Sequence, residues 1–128
     1  MKRLFSFLFF FAALNIALAQ TKPSQKQFIS LGGIESGSNV SIMQVLDYPV
    51  VLISDKTKKI ESFLIVILEE GSTAPSIFKV YGNRLNKMAM DYLKNMQNKK
   101  GEIYIQNIKY EGSEAESKTD NLVLKFEQ

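Results

Sequence analysis

The sequence predicts a mainly β fold, an antiparallel β-sandwich carrying one short amphipathic α-helix. Three observations carry that expectation. Short runs rich in β-branched and aromatic residues recur along the chain, each bounded by Gly, Pro, Asn, Asp or Ser. One stretch alone has helical spacing, with apolar residues at Leu85, Met88, Ala89, Tyr92, Leu93 and Met96. Strands in series without crossover helices imply antiparallel pairing in two packed layers.

Taken in order, Phe28, Ile29 and Leu31 open a strand that Gly32-Gly33 breaks or bulges. Ser36-Gly37-Ser38-Asn39 is a turn. Val40 to Leu46 has a mixed period that fits a short strand or the first turn of a helix. After Asp47-Tyr48-Pro49, Val50 to Ser54 is a β-branched strand, Asp55 to Lys59 a charged turn, and Ile60 to Glu69 a second strand. The tight connection makes these two runs the expected hairpin, with Lys56, Lys58 and Lys59 at its solvated tip. Ile60 to Glu69 is apolar on both faces, so it is expected to be central and covered on each side.

Ile77 to Tyr81 is a short strand ended by Gly82. The helix follows, with Asn86 as N-cap, Lys94, Lys99 and Lys100 toward its C-terminus, and Gly101 as the stop. Glu102 to Tyr110 alternates, with Ile103, Ile105 and Asn107 on one face and Tyr104, Gln106, Ile108 and Tyr110 on the other. Glu111 to Asp120 is an acidic loop, and Asn121 to Phe126 is the last strand.

The start of the chain speaks to location. Lys2 and Arg3 precede an apolar run from Leu4 to Leu14, and Ala17-Leu18-Ala19 is followed by Gln20. That order predicts a signal peptide over residues 1–19, cleaved after Ala19, and a product in the periplasm or secreted. The alternative is an uncleaved anchor. Leu4 to Ala19 is 16 residues interrupted by Ser6 and Asn15, whereas a spanning helix needs roughly 20 apolar residues, so no stable membrane span is expected after cleavage. Residues 20–27 (QTKPSQKQ) read as a linker, and residues 28–128 as one domain.

Composition narrows the chemistry. The 128 residues contain no Cys, which excludes disulfide scaffolds, zinc ribbons and cysteine nucleophiles. They contain no His either, which removes histidine triads and the usual general base near neutral pH. The net charge of +3 falls to +1 without Lys2 and Arg3, and Arg84 is then the single Arg, so nucleic acid is not an expected partner. A Ser–Lys dyad or a carboxylate pair remains open. The adjacent pair Glu69-Glu70 would point to opposite faces of a strand. Glu111, Glu114, Glu116 and Asp120 lack the spaced pattern of a calcium loop and read as a solvated turn. Asn39-Val40-Ser41 fits a glycosylation sequon. Met88, Met90 and Met96 read as core, with an adaptable binding face as the sharper alternative. No catalytic residue, metal site or cofactor is expected.

From Phe28 onward the chain resembles the C-terminal domain of the gliding-motility and type IX secretion protein family GldM (PorM). The resemblance is carried by Gly32-Gly33, by Leu46-Asp47-Tyr48, by Ser62-Phe63, by Gly82-Asn83-Arg84-Leu85 leading into the helix, and by the strand from Gly101 to Ile108. It implies an immunoglobulin-like sandwich and a non-enzymatic module that binds periplasmic or outer-membrane-associated proteins. The family's inner-membrane helix and further periplasmic domains are not matched here, so a motor role does not carry over. The contact candidates are Gly82, Asn83, Arg84, Tyr92, Tyr104 and Tyr110, and homo-oligomerisation stays open. The alternative function is a secreted small-molecule or carbohydrate-binding sandwich, which would place Tyr92, Tyr104 and Tyr110 on one exposed face.

Overall fold

A computed structural model describes residues 29–116 and 121–127. The expected signal peptide, the linker, Phe28 and residues 117–120 of the acidic loop lie outside them. The fold is mainly β, with two sheets and two helices around a shared core. The first sheet has three strands in the order β2-β1-β4, namely β1 (Ile29–Leu31), β2 (Ile34–Glu35) and β4 (Val51–Ile53). The second has five in the order β3-β8-β7-β5-β6. They are β3 (Asn39–Val40), β5 (Ile60–Glu69), β6 (Ser76–Tyr81), β7 (Gly101–Tyr110) and β8 (Leu122–Phe126).

Local chemistry sets the turns. Gly32 and Gly33 have φ of 61° and 82° and form a two-residue connection between β1 and β2. Two positive φ values in succession suit a type I′ hairpin, which Gly-Gly adopts without steric cost. Val40 to Leu46 resolves into helix α1 (Ile42–Asp47). Ser41 accepts from the Gln44 N–H while the Gln44 side chain accepts from the Ser41 N–H, a capping box that holds so short a helix. The chain therefore has two helices among the described residues rather than the one expected. Helix α2 (Lys87–Lys94) starts where predicted, with Asn86 accepting from the Ala89 N–H at 3.0 Å.

Three expectations about pairing and one about a glycine are corrected. The runs either side of Asp55 to Lys59 do not form a hairpin: β4 pairs with β1, while β5 pairs with β6 and β7. A three-residue strand cannot satisfy the backbone of a ten-residue one; β7, also ten residues, can. The lysine-rich turn thus crosses between sheets. Pairing is also not wholly antiparallel, because β3 runs parallel to β8. Gly37 N–H bonds the Val123 carbonyl and Lys125 N–H bonds the Ser38 carbonyl, so the chain is zipped onto β8 as soon as it leaves β2. Gly101 does not stop the helix, which ends at Lys94; it opens β7, beneath the Phe126 ring.

The third pairing correction concerns β7. Ile103, Ile105, Ile108 and Tyr110 are all buried, a spacing of two, three, two. Asn107 takes φ of 53°, and the register with β5 slips beside it. This is a β-bulge, and it turns the second half of the strand over so that both halves feed one core. Asn tolerates the left-handed region better than other non-glycine residues. Asn107→Val is expected to lose about 1–2 kcal/mol in urea denaturation, with Asn107→Gly within about 0.5; equal stabilities for the two variants would remove the bulge from the account.

The core joins both sheets and α2. Leu31 and Val51 of the first sheet meet Phe63, Ile65, Ile67, Ile103, Ile105, Leu124 and Phe126 of the second, with Ala89 and Leu93 of the helix. Met96 is buried, Met90 packs at the margin, and Met88 leaves the predicted stripe and is exposed. Among the described residues no helix is long and apolar enough to cross a membrane.

Candidate functional site

The five-stranded sheet is two-sided, and β5 shows how its sides differ. Phe63, Ile65 and Ile67 point into the core. Leu64, Val66 and Leu68 alternate with them onto the other face and lie outside the core cluster. On that outer side Val66 is buried and Leu64 and Leu68 are half-buried, although none of the three joins the core cluster. Register builds an apolar row across that outer face: Ile77 of β6 opposes Val66, Val66 opposes Tyr104 of β7, and Tyr104 opposes Val123 of β8. Ile77 is 57% exposed, and Tyr81, four residues along the same edge strand, 78%.

Two lysines beside this row are ion-paired within the molecule, while Lys125 of β8, opposite Glu102, is exposed. Lys79 meets Glu116 of the acidic loop at 3.4 Å, and Lys109 meets Glu61 at 2.9 Å. Tyr104 donates its hydroxyl to Glu102 at 2.5 Å. That bond, together with the carboxylate's charge, raises the phenol above its ordinary value of 10.0. Folding thus tightens the proton's hold. The contribution to stability is complete below the ordinary phenol range and fades as pH rises through the raised value. In a 13C-tyrosine NMR titration, Tyr104 is expected to ionise later than a free phenol, and earlier in Glu102→Gln than in the parent; an unchanged midpoint would discount the bond.

The candidate contact residues fall into separate places. Gly82, Asn83 and Arg84 form the connection from β6 to α2, and their backbones stitch the sheets together. Gly82 N–H bonds the Glu61 carbonyl, Asn83 accepts from the Val51 N–H at 2.7 Å, and Arg84 bridges Val50. The side chains of Asn83 and Arg84 are exposed. Tyr92 is half-buried on α2 with its ring 5.5 Å from that of Phe78. Tyr110 is 8% exposed and belongs to the core. Of the three tyrosines only Tyr104 is on the outer face, so no single exposed row of Tyr92, Tyr104 and Tyr110 exists. The residues that sequence reasoning missed are Ile77, Val66, Val123 and Tyr81; the signal was β5 itself, apolar on both faces.

Catalytic alternatives meet specific obstacles. Ser62 is 3% exposed and opposes Lys109 across β5 and β7. A Ser–Lys dyad requires a neutral amine. The hydrogen bond and charge of Glu61 instead raise the Lys109 ammonium above its ordinary value, which keeps it protonated. Among the described residues no three acidic side chains gather as a metal site; Glu116 is engaged with Lys79, and Asp120 lies outside those residues. Ser41 of the Asn39-Val40-Ser41 sequon serves as the cap of α1.

Compared with known proteins, the chain matches no family model, no curated protein and no solved structure.

Proposed function

We propose that the chain is an exported, non-enzymatic interaction module that docks other periplasmic or outer-membrane-associated proteins, in the manner of the terminal domain of GldM, and works beside type IX secretion or gliding machinery. The immunoglobulin-like topology belongs to the same proposal. The single observation that supports docking most strongly is the outer face of the five-stranded sheet, where Ile77, Val66, Tyr104 and Val123 align in register outside the core. Apolar side chains aligned on a sheet face, rimmed by ion pairs that are already satisfied, suit a protein surface. Lys79 and Lys109 beside the row are each already engaged by a carboxylate. The tie to the secretion machinery rests on the Gly82-Asn83-Arg84-Leu85 step and the Gly101 to Ile108 strand.

The test is affinity capture from periplasmic extract with the parent and with Ile77→Lys/Tyr81→Lys. Both residues are exposed on an edge strand, so the variant should keep its fold. A reproducible partner retained by the parent and lost at least about tenfold by the variant is expected. Equal capture by both proteins, or no reproducible partner, would overturn the reading.

A further inference from the structure

A groove of about 490 Å³ runs beside β4, with Val51, Leu52, Ile53 and Ile60 as its apolar floor. The order β2-β1-β4 leaves β4 at the edge of its sheet. The Val51 N–H points away from β1, to the Asn83 carbonyl at 2.7 Å. Backbone groups of an antiparallel strand face the same side at every second residue. The N–H and C=O of Ile53 therefore face the groove, past the point where Asn83 stops. An edge of this kind is a template for an added strand.

The wall opposite is basic. Lys56, Lys58 and Lys59 line the groove against one carboxylate, Glu111. The turn that carries them is held in shape. Asp55 Oδ1 accepts from both the N–H and the hydroxyl of Thr57, which, with the nearby Lys58 charge, lowers the Asp55 carboxyl below its ordinary value and keeps it ionised beside the lysines. Lys58 Nζ lies 5.1 Å from the centre of the Tyr110 ring, and Glu111 N–H bonds the Lys59 carbonyl at 2.8 Å. Three ammonium groups on one ordered turn select for carboxylates.

We propose that this groove binds an extended acidic segment of a partner protein, which adds to β4 as a further strand and lays its carboxylates against Lys56, Lys58 and Lys59. Backbone pairing at Ile53 supplies the direction of entry, and the lysines supply the choice of partner. The site is separate from the outer face of the five-stranded sheet, so either can fail without the other.

The test is fluorescence anisotropy of the purified protein with a labelled Val-Glu-Val-Glu-Val-Glu peptide. Two control peptides accompany it, one with Lys for Glu and one N-methylated at alternate residues so that it cannot form a ladder. Saturable binding is expected for the acidic peptide alone. It should weaken at least about tenfold in Lys56→Glu/Lys58→Glu/Lys59→Glu. Lys56→Glu, at an exposed turn position, serves as the second variant should the triple one fail to fold, and should weaken binding measurably. No saturable binding, equal binding of the N-methylated peptide, or indifference to the lysine variants would overturn the proposal. So would self-association of the parent that the lysine variants abolish, since that would seat the acidic loop of a second copy in the groove.

Discussion

Gly101→Ala is expected to cost about 3 kcal/mol or more, read as a shift in urea denaturation midpoint at constant slope. The new Cβ would lie 2.2 Å from the Leu68 carbonyl oxygen and 2.6 Å from Cζ of Phe126. The carbonyl belongs to β5, held between β7 and β6 in the sheet, and the Phe126 ring is fully buried, so neither can step aside cheaply. Glycine is used here for close approach of chain and ring, not for a left-handed backbone. Gly112→Ala is the matched control: among the described residues nothing beyond its chain neighbours lies within 4 Å of its Cβ position, and its φ of 82° opposes the change, a cost of about 1 kcal/mol. A Gly101→Ala protein within about 0.5 kcal/mol of the parent would mean that β7 and β8 do not close over this position.

Phe63→Ala should be nearly as damaging. The ring is fully buried where β5 faces the first sheet and α2, and removing it is expected to cost about 3–5 kcal/mol. A domain of this size has a margin of about 5–15 kcal/mol, so a large share would go. Val66→Ala makes the comparison informative. Val66 is only 8% exposed, yet it lies on the outer face with nothing of the core against it. Its truncation should cost about 1 kcal/mol or less, because no cavity is left inside the molecule. Comparable losses at Phe63 and Val66 would show that the outer face is covered in the folded protein, and the docking surface would disappear with that result.

The contrast between these two residues also marks what the sequence could say. Strand positions were legible because β-branched runs and turn residues act locally: Val50 to Ser54, Ile60 to Glu69 and the Asn86 cap all fall where chemistry over a few residues puts them. Partners were not, because pairing is decided across the whole fold; β5 prefers the equally long β7 to its neighbour β4. Helix α1 was readable in principle from Ser41 and Gln44, the two ends of a capping box, but a six-residue helix gives periodicity too little length. The bulge at Asn107 was readable from the two-three-two spacing of Ile103, Ile105, Ile108 and Tyr110, and strict alternation hid it. The site suffered most. An apolar face kept for a partner and an apolar face kept for the core look alike in one sequence, so nothing local separates the buried contact candidate Tyr110 from the exposed Ile77.

The central claim is that the sheet face bearing Ile77, Val66, Tyr104 and Val123 meets another protein. Site-specific photo-crosslinking tests it most directly, with a benzophenone amino acid placed at Ile77 and, separately, at the exposed Met43 of α1. Irradiation in cells is expected to give one discrete heavier adduct from position 77 and none of that mass from position 43. Adducts of equal yield at both positions, or none at 77, would contradict the claim.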